Sequence, residues 1–458
     1  MKRNTKILAT IGPAIDNKDE LIKTKGLADM FRINTAHGDF EQYDETLKRI
    51  KQYTNTPVLI DIKGPEIRIR TEDLEVREGE EVEFFFKDKM PYFSYDFLNE
   101  VSEKDKIFFD GGLIEANIKE KKKNSLILKF QDSAVIKPNK GVNIPNKSLK
   151  IPSLSSKDKE AIKWAEKRQI AYIALSFVRH KEDVINLKKK LKNENIGIIS
   201  KIENWEGVKN IKDIIQECDG VMIARGDLGI EVPEQKIPII QKRIIEQANQ
   251  EAKVTIVATQ MLESMTEHKT PTRAEVSDVA NAILDGADTV MLSGETAIGK
   301  YPLQSLKVMD KVAREIEDKV ENRIDINKPG SISEEMSKNA YSLLQRTKAD
   351  KLVTLTRSGY SANLVSRYRI KKPILAVTDN KSTADKLRIV WGVKPVYFKD
   401  LPGFEKVVRT AVVLVKKRLV KKRDHVIFFA GIKTLQERIS NSVEIHHIKD
   451  LLEYDSKF

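Results

Sequence analysis

The segment Ser200-Lys201-Ile202-Glu203-Asn204 sets an ammonium and a carboxylate two residues apart at the end of an apolar run. Side chains alternate along a β-strand, so Lys201 and Glu203 point into one volume. A second carboxylate, Asp227, follows a similar run in Ala224-Arg225-Gly226-Asp227-Leu228-Gly229, where glycines let backbone amides approach a ligand closely. Mg²⁺ is commonly held by one or two carboxylates, with water and substrate oxygens filling the other positions. Glu203 and Asp227 are therefore the expected metal ligands. Alone, Lys201 and Glu203 would read as an ordinary salt bridge; the gathering of further ionisable groups at equivalent positions favours chemistry.

Those groups recur wherever an apolar run ends. Phe31-Arg32-Ile33-Asn34-Thr35-Ala36-His37-Gly38 and Asp61-Ile62-Lys63-Gly64-Pro65-Glu66-Ile67-Arg68 add cations suited to phosphate. Arg32 and Arg68 offer a bidentate fork and Lys63 a point charge. His37, beside a glycine, can stack on or bond to a nucleotide, although a lone loop histidine is more often a surface group. Thr259, Ser293 and Glu295 end two further runs. Hydroxyls there can orient a substrate or pass a proton, while as single residues they read as helix caps.

Such residues need a scaffold that delivers strand ends to one rim. Apolar runs at 6–12, 30–34, 58–63, 171–177, 197–203, 220–224, 254–259 and 289–293 alternate with amphipathic stretches such as 41–53, 181–192, 208–217 and 237–252. The pattern predicts an α/β fold with a (β/α)8 TIM barrel, whose reactive groups come from the carboxyl ends of the strands. From 66 to 149 it gives way to short alternating runs at 81–86, 106–110 and 125–130, predicting an inserted, small β-barrel-like lid. The barrel then comprises 1–65 and 150–328. Ser155 or Ser156 is available to cap the helix that reopens it, and Thr272 with Glu275 forms a capping-box pattern before the last strand. Past a polar break at 327–330, strands at 351–356, 373–378, 393–398 and 425–430 predict a C-terminal α/β domain over 329–458.

A formal net charge of +13 favours anionic partners without choosing among them. Only 121–123 and 416–423 are densely basic, and the second lacks the interleaved aromatics of a nucleic-acid surface. A solvated lysine-rich surface is the simpler reading. The single cysteine, Cys218, excludes an intramolecular disulfide or a cysteine metal cluster and reads as a buried structural thiol. No window approaches a membrane span, and the opening residues lack a signal-peptide core. A cytoplasmic protein with neither membrane nor nucleic-acid partners is expected.

Ten segments in order carry a resemblance to pyruvate kinase: 5–13 (TKILATIGP), 32–38 (RINTAHG), 61–68 (DIKGPEIR), 141–145 (GVNIP), 175–178 (LSFV), 200–204 (SKIEN), 224–229 (ARGDLG), 258–265 (ATQMLESM), 271–275 (PTRAE) and 291–296 (MLSGET). The resemblance continues into 356–362 and 376–378, which look like that family's C-terminal regulatory domain. It implies a three-domain subunit, a homotetramer, and transfer of the phosphoryl group of phosphoenolpyruvate to ADP with Mg²⁺ or Mn²⁺, giving pyruvate and ATP. By the same likeness, Lys201 sits against the phosphoryl group in flight. Gly226, Asp227 and Thr259 hold the substrate carboxylate, and Arg32, Asn34, His37, Lys63 and Arg68 meet the nucleotide. Protons travel by water near Thr259, Ser293 and Glu295.

Two departures stand out. The family's monovalent-cation site is matched by Asn34, Asp61 and the Ile62 carbonyl, but its serine position is Ala36. Glu66 resembles the form that needs K⁺, so K⁺ is expected there one oxygen ligand short. Thr356, Arg357, Ser358, Gly359 and Ser361 resemble a loop that grips the phosphate of an effector, yet the counterpart at 431–438 (GIKTLQER) is not rich in glycine and threonine. Another phosphorylated effector, or none, is as much expected as fructose 1,6-bisphosphate. Other Mg²⁺-dependent barrel enzymes of phosphoenolpyruvate or pyruvate would need neither the lid nor Arg32 and His37. A catalytically silent metabolite sensor should have lost Lys201, Glu203, Asp227 or Thr259, and all four remain.

Overall fold

Runs in which nearly every residue is apolar suit strands covered on both faces. Eight of them form a closed barrel in the computed structural model, which describes residues 3–87, 89–399, 406–431 and 440–455. The strands are β1 (Lys6–Thr10), β2 (Met30–Asn34), β3 (Val58–Ile62), β4 (Tyr172–Leu175), β5 (Gly197–Ile202), β6 (Gly220–Ala224), β7 (Val254–Ala258) and β8 (Thr289–Leu292). They close in the order β1-β8-β7-β6-β5-β4-β3-β2, each beside parallel neighbours. Each expected run holds one strand, giving the expected (β/α)8 fold. Alternate residues belong to two clusters: Leu8, Met30, Leu59, Met222 and Met291 in one, and Ile7, Phe31, Ile60, Val221 and Val290 in the other. The register pairs Thr10 with Arg32 and Asn34 with Asp61, so the polar strand ends share a rim.

Local capping fixes how the chain enters its helices. Ser155 caps Ser156–Glu166 and Thr272 caps Arg273–Leu284, each in a reciprocal capping box, with Asp158 and Glu275 as the partners. The continuous helix expected over 208–217 is instead two, Trp205–Lys209 and Ile211–Glu217. Two asparagines explain the break. Asn204 caps the first helix through Gly207 N (2.7 Å), while Asn210 leaves helical geometry at the junction and donates its amide to Arg179 O (2.9 Å). Cys218 follows the second helix, buried, and burial pushes its thiol up to about 11.

Between β3 and β4 the chain builds a second, smaller barrel from seven short strands, Ile67–Arg70 to Gly141–Asn143. Its core is aromatic, with Phe84 and Phe93 stacked at 5.4 Å and Phe109 and Phe130 beside them. A third sheet follows: β9 (Lys351–Leu355), β10 (Ile374–Thr378), β11 (Val393–Tyr397), β12 (His425–Ala430) and β13 (Ser442–His447), ordered β11-β10-β9-β12-β13. The antiparallel β13 was not expected from sequence. Its residues, SVEIHH, are half-exposed at the sheet edge and show no apolar run.

Buried polar contacts fasten this sheet beneath the large barrel. The Asp288 carboxylate accepts from Arg369 (3.1 Å), from Trp391 N (3.1 Å) and from Thr255 N (2.9 Å). No helix among the described residues is long and apolar enough to cross a membrane.

Candidate active site

At the rim, β3 and β5 bring opposite charges together out of water. Lys201 Nζ lies 2.8 Å from Glu203 Oε1, 3.1 Å from Asp61 Oδ1 and 2.8 Å from Ser176 Oγ. Asp61 also accepts from Arg32 Nε at 2.8 Å, and Arg32 Nη1 donates to Thr10 Oγ1 at 3.1 Å. Ser176 in turn donates to the Ile62 carbonyl at 2.7 Å. Burial would lift the Asp61 carboxyl, but the Lys201 and Arg32 cations outweigh it and hold the acid below its ordinary value. Burial also works against the Lys201 ammonium; Asp61 and Glu203 overcome it, keeping Lys201 charged.

Glu203 is the member left out of balance. Burial, joined by the charges of Asp227 and Asp61, raises its carboxyl to about 7 despite Lys201. Asp227, in the first turn of the helix Arg225–Glu231 that follows β6, is close enough for its charge to act on Glu203. Glu203 Oε2 accepts from Phe177 N (2.7 Å), whereas Oε1 makes an ion pair with Lys201 but no aligned hydrogen bond among the described residues. Two cations therefore face three carboxylates, and one buried carboxylate oxygen keeps bonding capacity. Among the described residues no three or more His, Cys, Asp or Glu side chains are grouped to hold a metal. A metal here would rely on this carboxylate pair, water and substrate.

The loops beside the cluster are strained. Phe177, whose amide reaches Glu203, has φ 53°, and the consecutive Thr259 and Gln260 have φ 65° and 54°. For bulky or β-branched residues this region costs on the order of 1–3 kcal/mol, and such outliers gather at functional sites. Arg225 pins the second turn by donating to the Thr259 (2.8 Å) and Gln260 (3.0 Å) carbonyls, and pairs with Asp278 at 2.7 Å. Thr259 Oγ1 accepts from Gly226 N at 2.8 Å and donates to Ala258 O at 2.6 Å.

Comparison with known proteins places this arrangement. Residues 2–306 match the family model described as pyruvate kinase, barrel domain, and residues 334–446 match pyruvate kinase, alpha/beta domain. This chain belongs to the pyruvate kinase family. Among curated relatives, the pyruvate kinase of Methanocaldococcus jannaschii is 39% identical over 92% of this chain and 94% of its own length. That of Geobacillus stearothermophilus is 36% identical over 99% of this chain and 81% of its own length. A crystal structure of a pyruvate kinase from Cryptosporidium parvum superposes with a TM-score of 0.90 at 31% identity, covering 98% of this chain and 96% of that one. The family is one of phosphotransferases, so the charged rim belongs to an enzyme.

Within this pyruvate kinase framework the remaining expected residues lie around the cluster rather than in it. His37 is exposed, and its carbonyl accepts from Tyr43. Lys63 (3.3 Å) and Arg68 both pair with Glu66 at the root of the lid. Of the expected K⁺ donors, Asn34 Oδ1 accepts from Ala36 N (3.1 Å), the Asp61 carboxylate holds two cations, and the Ile62 carbonyl takes Ser176. Glu295 is buried with its carboxylate on Leu262 N (3.0 Å) and Ser293 N (2.7 Å), fastening two rim loops; burial raises its carboxyl. Ser293 Oγ is buried without a partner among the described residues.

In the loop 356–361, Thr356 Oγ1 accepts from Gly359 N (3.0 Å), Ser361 Oγ accepts from Thr354 (3.0 Å), and the Arg357 carbonyl accepts from Thr383 (2.7 Å). Ser358 Oγ accepts from Tyr360 N at 3.4 Å. Of its expected counterpart at 431–438, residues 432–438 lie outside the described residues. Sequence reading missed Ser176, Phe177 and Arg225. The apolar run ending at 177 marks a strand, but nothing in the types of Ser176 and Phe177 signals their contacts, and Arg225 reads as one more cation between an apolar strand and a glycine.

Proposed function

We propose that this chain transfers the phosphoryl group of phosphoenolpyruvate to ADP, giving pyruvate and ATP, with Mg²⁺ or Mn²⁺ held by Glu203 and Asp227. The observation that carries this reading is the buried Lys201 ammonium, fixed by Asp61, Glu203 and Ser176 beside a carboxylate pair short of positive charge. The fit to a divalent ion rests on Glu203 Oε1, a buried oxygen lacking an aligned donor, and on the mutual repulsion of the Glu203 and Asp227 charges. When bound, the ion supplies charge neutralisation to the phosphoryl oxygens.

The protein's own groups do the aligning. Lys201 donates to the phosphoryl group as it moves, and its neighbours prevent it from losing its charge. Arg32 is oriented by Asp61 and Thr10 and keeps Nη2 without a partner among the described residues, ready for a phosphate oxygen. Asn34, His37, Lys63 and Arg68 meet the nucleotide. The Asp227 amide receives the substrate carboxylate, joined by the Gly226 amide and the Thr259 hydroxyl as these exchange their present bonds to Thr259 Oγ1 and Ala258 O for the ligand. The bond from phosphorus to the enol oxygen breaks as one forms to the terminal phosphate oxygen of ADP, leaving the electron pair on an enolate. Its methylene carbon then takes a proton through water near Thr259, Ser293 and Glu295; the unpartnered Ser293 hydroxyl supports that route.

The reading extends to a cytoplasmic homotetramer. K⁺ would draw on Asn34, Asp61 and the Ile62 carbonyl, and a phosphorylated effector on the loop 356–361. The test is a mixture of purified protein with phosphoenolpyruvate, ADP and Mg²⁺ at millimolar concentration, with pyruvate followed through a coupled dehydrogenase. A steady trace abolished by a chelator is expected. A flat trace with the metal present would remove the proposal.

A further inference from the structure

The densest positive charge in the sequence lies far from the catalytic rim in chain order, on the C-terminal sheet. Six of the eight residues from 416 to 423 are Lys or Arg, none is acidic, and all six side chains are exposed. Asp424 fixes how they are presented. Buried, it pairs with Lys351 and accepts from Lys421 N at 2.9 Å, holding the turn that precedes β12. The chain returns along β13, and Lys449 N donates to the Lys422 carbonyl at 3.0 Å, so the two segments stay side by side.

A hollow of about 390 Å³ opens between them, lined by Lys422, Arg423, His447, Lys449, Leu452 and Glu453. The His447 ring lies 4.8 Å from that of His425, its cross-strand partner. Three acids are near: Glu453 is 3.5 Å from Lys449, Asp450 is 3.5 Å from His447, and Asp350 accepts from the His425 backbone. Lys422 and Arg423 have no acidic partner among the described residues. The hollow therefore keeps uncompensated positive charge, offered as one guanidinium fork and one ammonium, the pair of groups suited to phosphate oxygens. No Phe, Tyr or Trp lines it, so there is no platform for a stacked base.

We propose that this hollow at the start of β12 binds a small multivalent phosphate anion, with Lys422 and Arg423 as its principal contacts. It lies at the amino-terminal end of β12, whereas the loop 356–361 follows the carboxyl end of the parallel neighbour β9, so the two sites are separate. Occupancy there does not depend on the catalytic reading.

Tripolyphosphate is the probe, titrated calorimetrically into the full chain at physiological ionic strength in the background K201M/R32Q, so that the catalytic rim is not the site observed and no second phosphate compound competes for the hollow. The variant K422Q/R423Q should weaken binding at least about tenfold, the loss of two charge-assisted contacts. The control K122Q/K123Q removes the same charge from the lid and should change it less than about twofold. Equal weakening in both variants would mean a diffuse electrostatic attraction and would overturn the site. So would unchanged binding in K422Q/R423Q. K449Q, changed on the other wall, decides the matter should the double variant fold poorly: binding as tight as wild type would also count against the proposal.

Discussion

At the scale of single residues, the site depends on a lysine that burial alone would discharge. Asp61 and Glu203 prevent this, and they also fix Nζ in place, so under the proposed function the ammonium would meet moving phosphoryl charge with no reorganisation. Replacing Lys201 with Met should lower kcat by roughly 10²–10³-fold while changing KM far less. It should also lower the melting temperature, because two buried carboxylates lose their shared counter-charge. Steady-state kinetics and a thermal melt measure both, and a kcat within about threefold of wild type would contradict the assignment. Lys201, Glu203 and Asp227 were legible in the sequence because strand alternation and a barrel rim dictate where their side chains point. Ser176 and the Phe177 amide were not. A serine reads the same whether it caps a helix or orients a lysine, and a positive φ leaves no mark on residue type.

At the scale of elements, a pH-sensitive contact lies where the lid meets the barrel. Glu231 ends the short helix Arg225–Glu231 after β6, where Asn143 on the returning strand of the lid partly offsets the effect of burial on its carboxyl. Burial pushes its carboxyl up to about 7. An unfolded glutamate ionises at about 4.3, so below that pH both states are protonated and the stabilisation is complete. As pH rises, the unfolded chain loses its proton first, and stability falls by up to about 4 kcal/mol until the folded carboxyl ionises too. Glu231→Gln should flatten the decline in melting temperature between about pH 4 and pH 7. Parallel curves for variant and wild type would refute this role. The elements themselves were largely readable. All eight barrel strands follow from apolar runs, while the split at Asn210 and the edge strand β13 escaped because each is set by tertiary contacts rather than by periodicity.

For the whole molecule, charge works at two ranges. The chain carries +13 overall, which favours anionic molecules in general, yet the rim of its large barrel holds three carboxylates against two cations. An anionic substrate is attracted from afar and, without a divalent ion, meets an acidic pair at the end of its path. The large barrel supplies that pair, the inserted barrel shares a hollow with its rim through Phe108, Asn146 and Gly226, and the third sheet is fastened below through Asp288 and Arg369. The central claim is that Glu203 and Asp227 share one metal. Titrating Mn²⁺ into wild-type protein, Glu203→Gln and Asp227→Asn, with binding read by electron paramagnetic resonance, tests it without relying on turnover. One site per chain is predicted, weakened at least about tenfold by either substitution. Wild-type Mn²⁺ affinity in both variants would contradict the account.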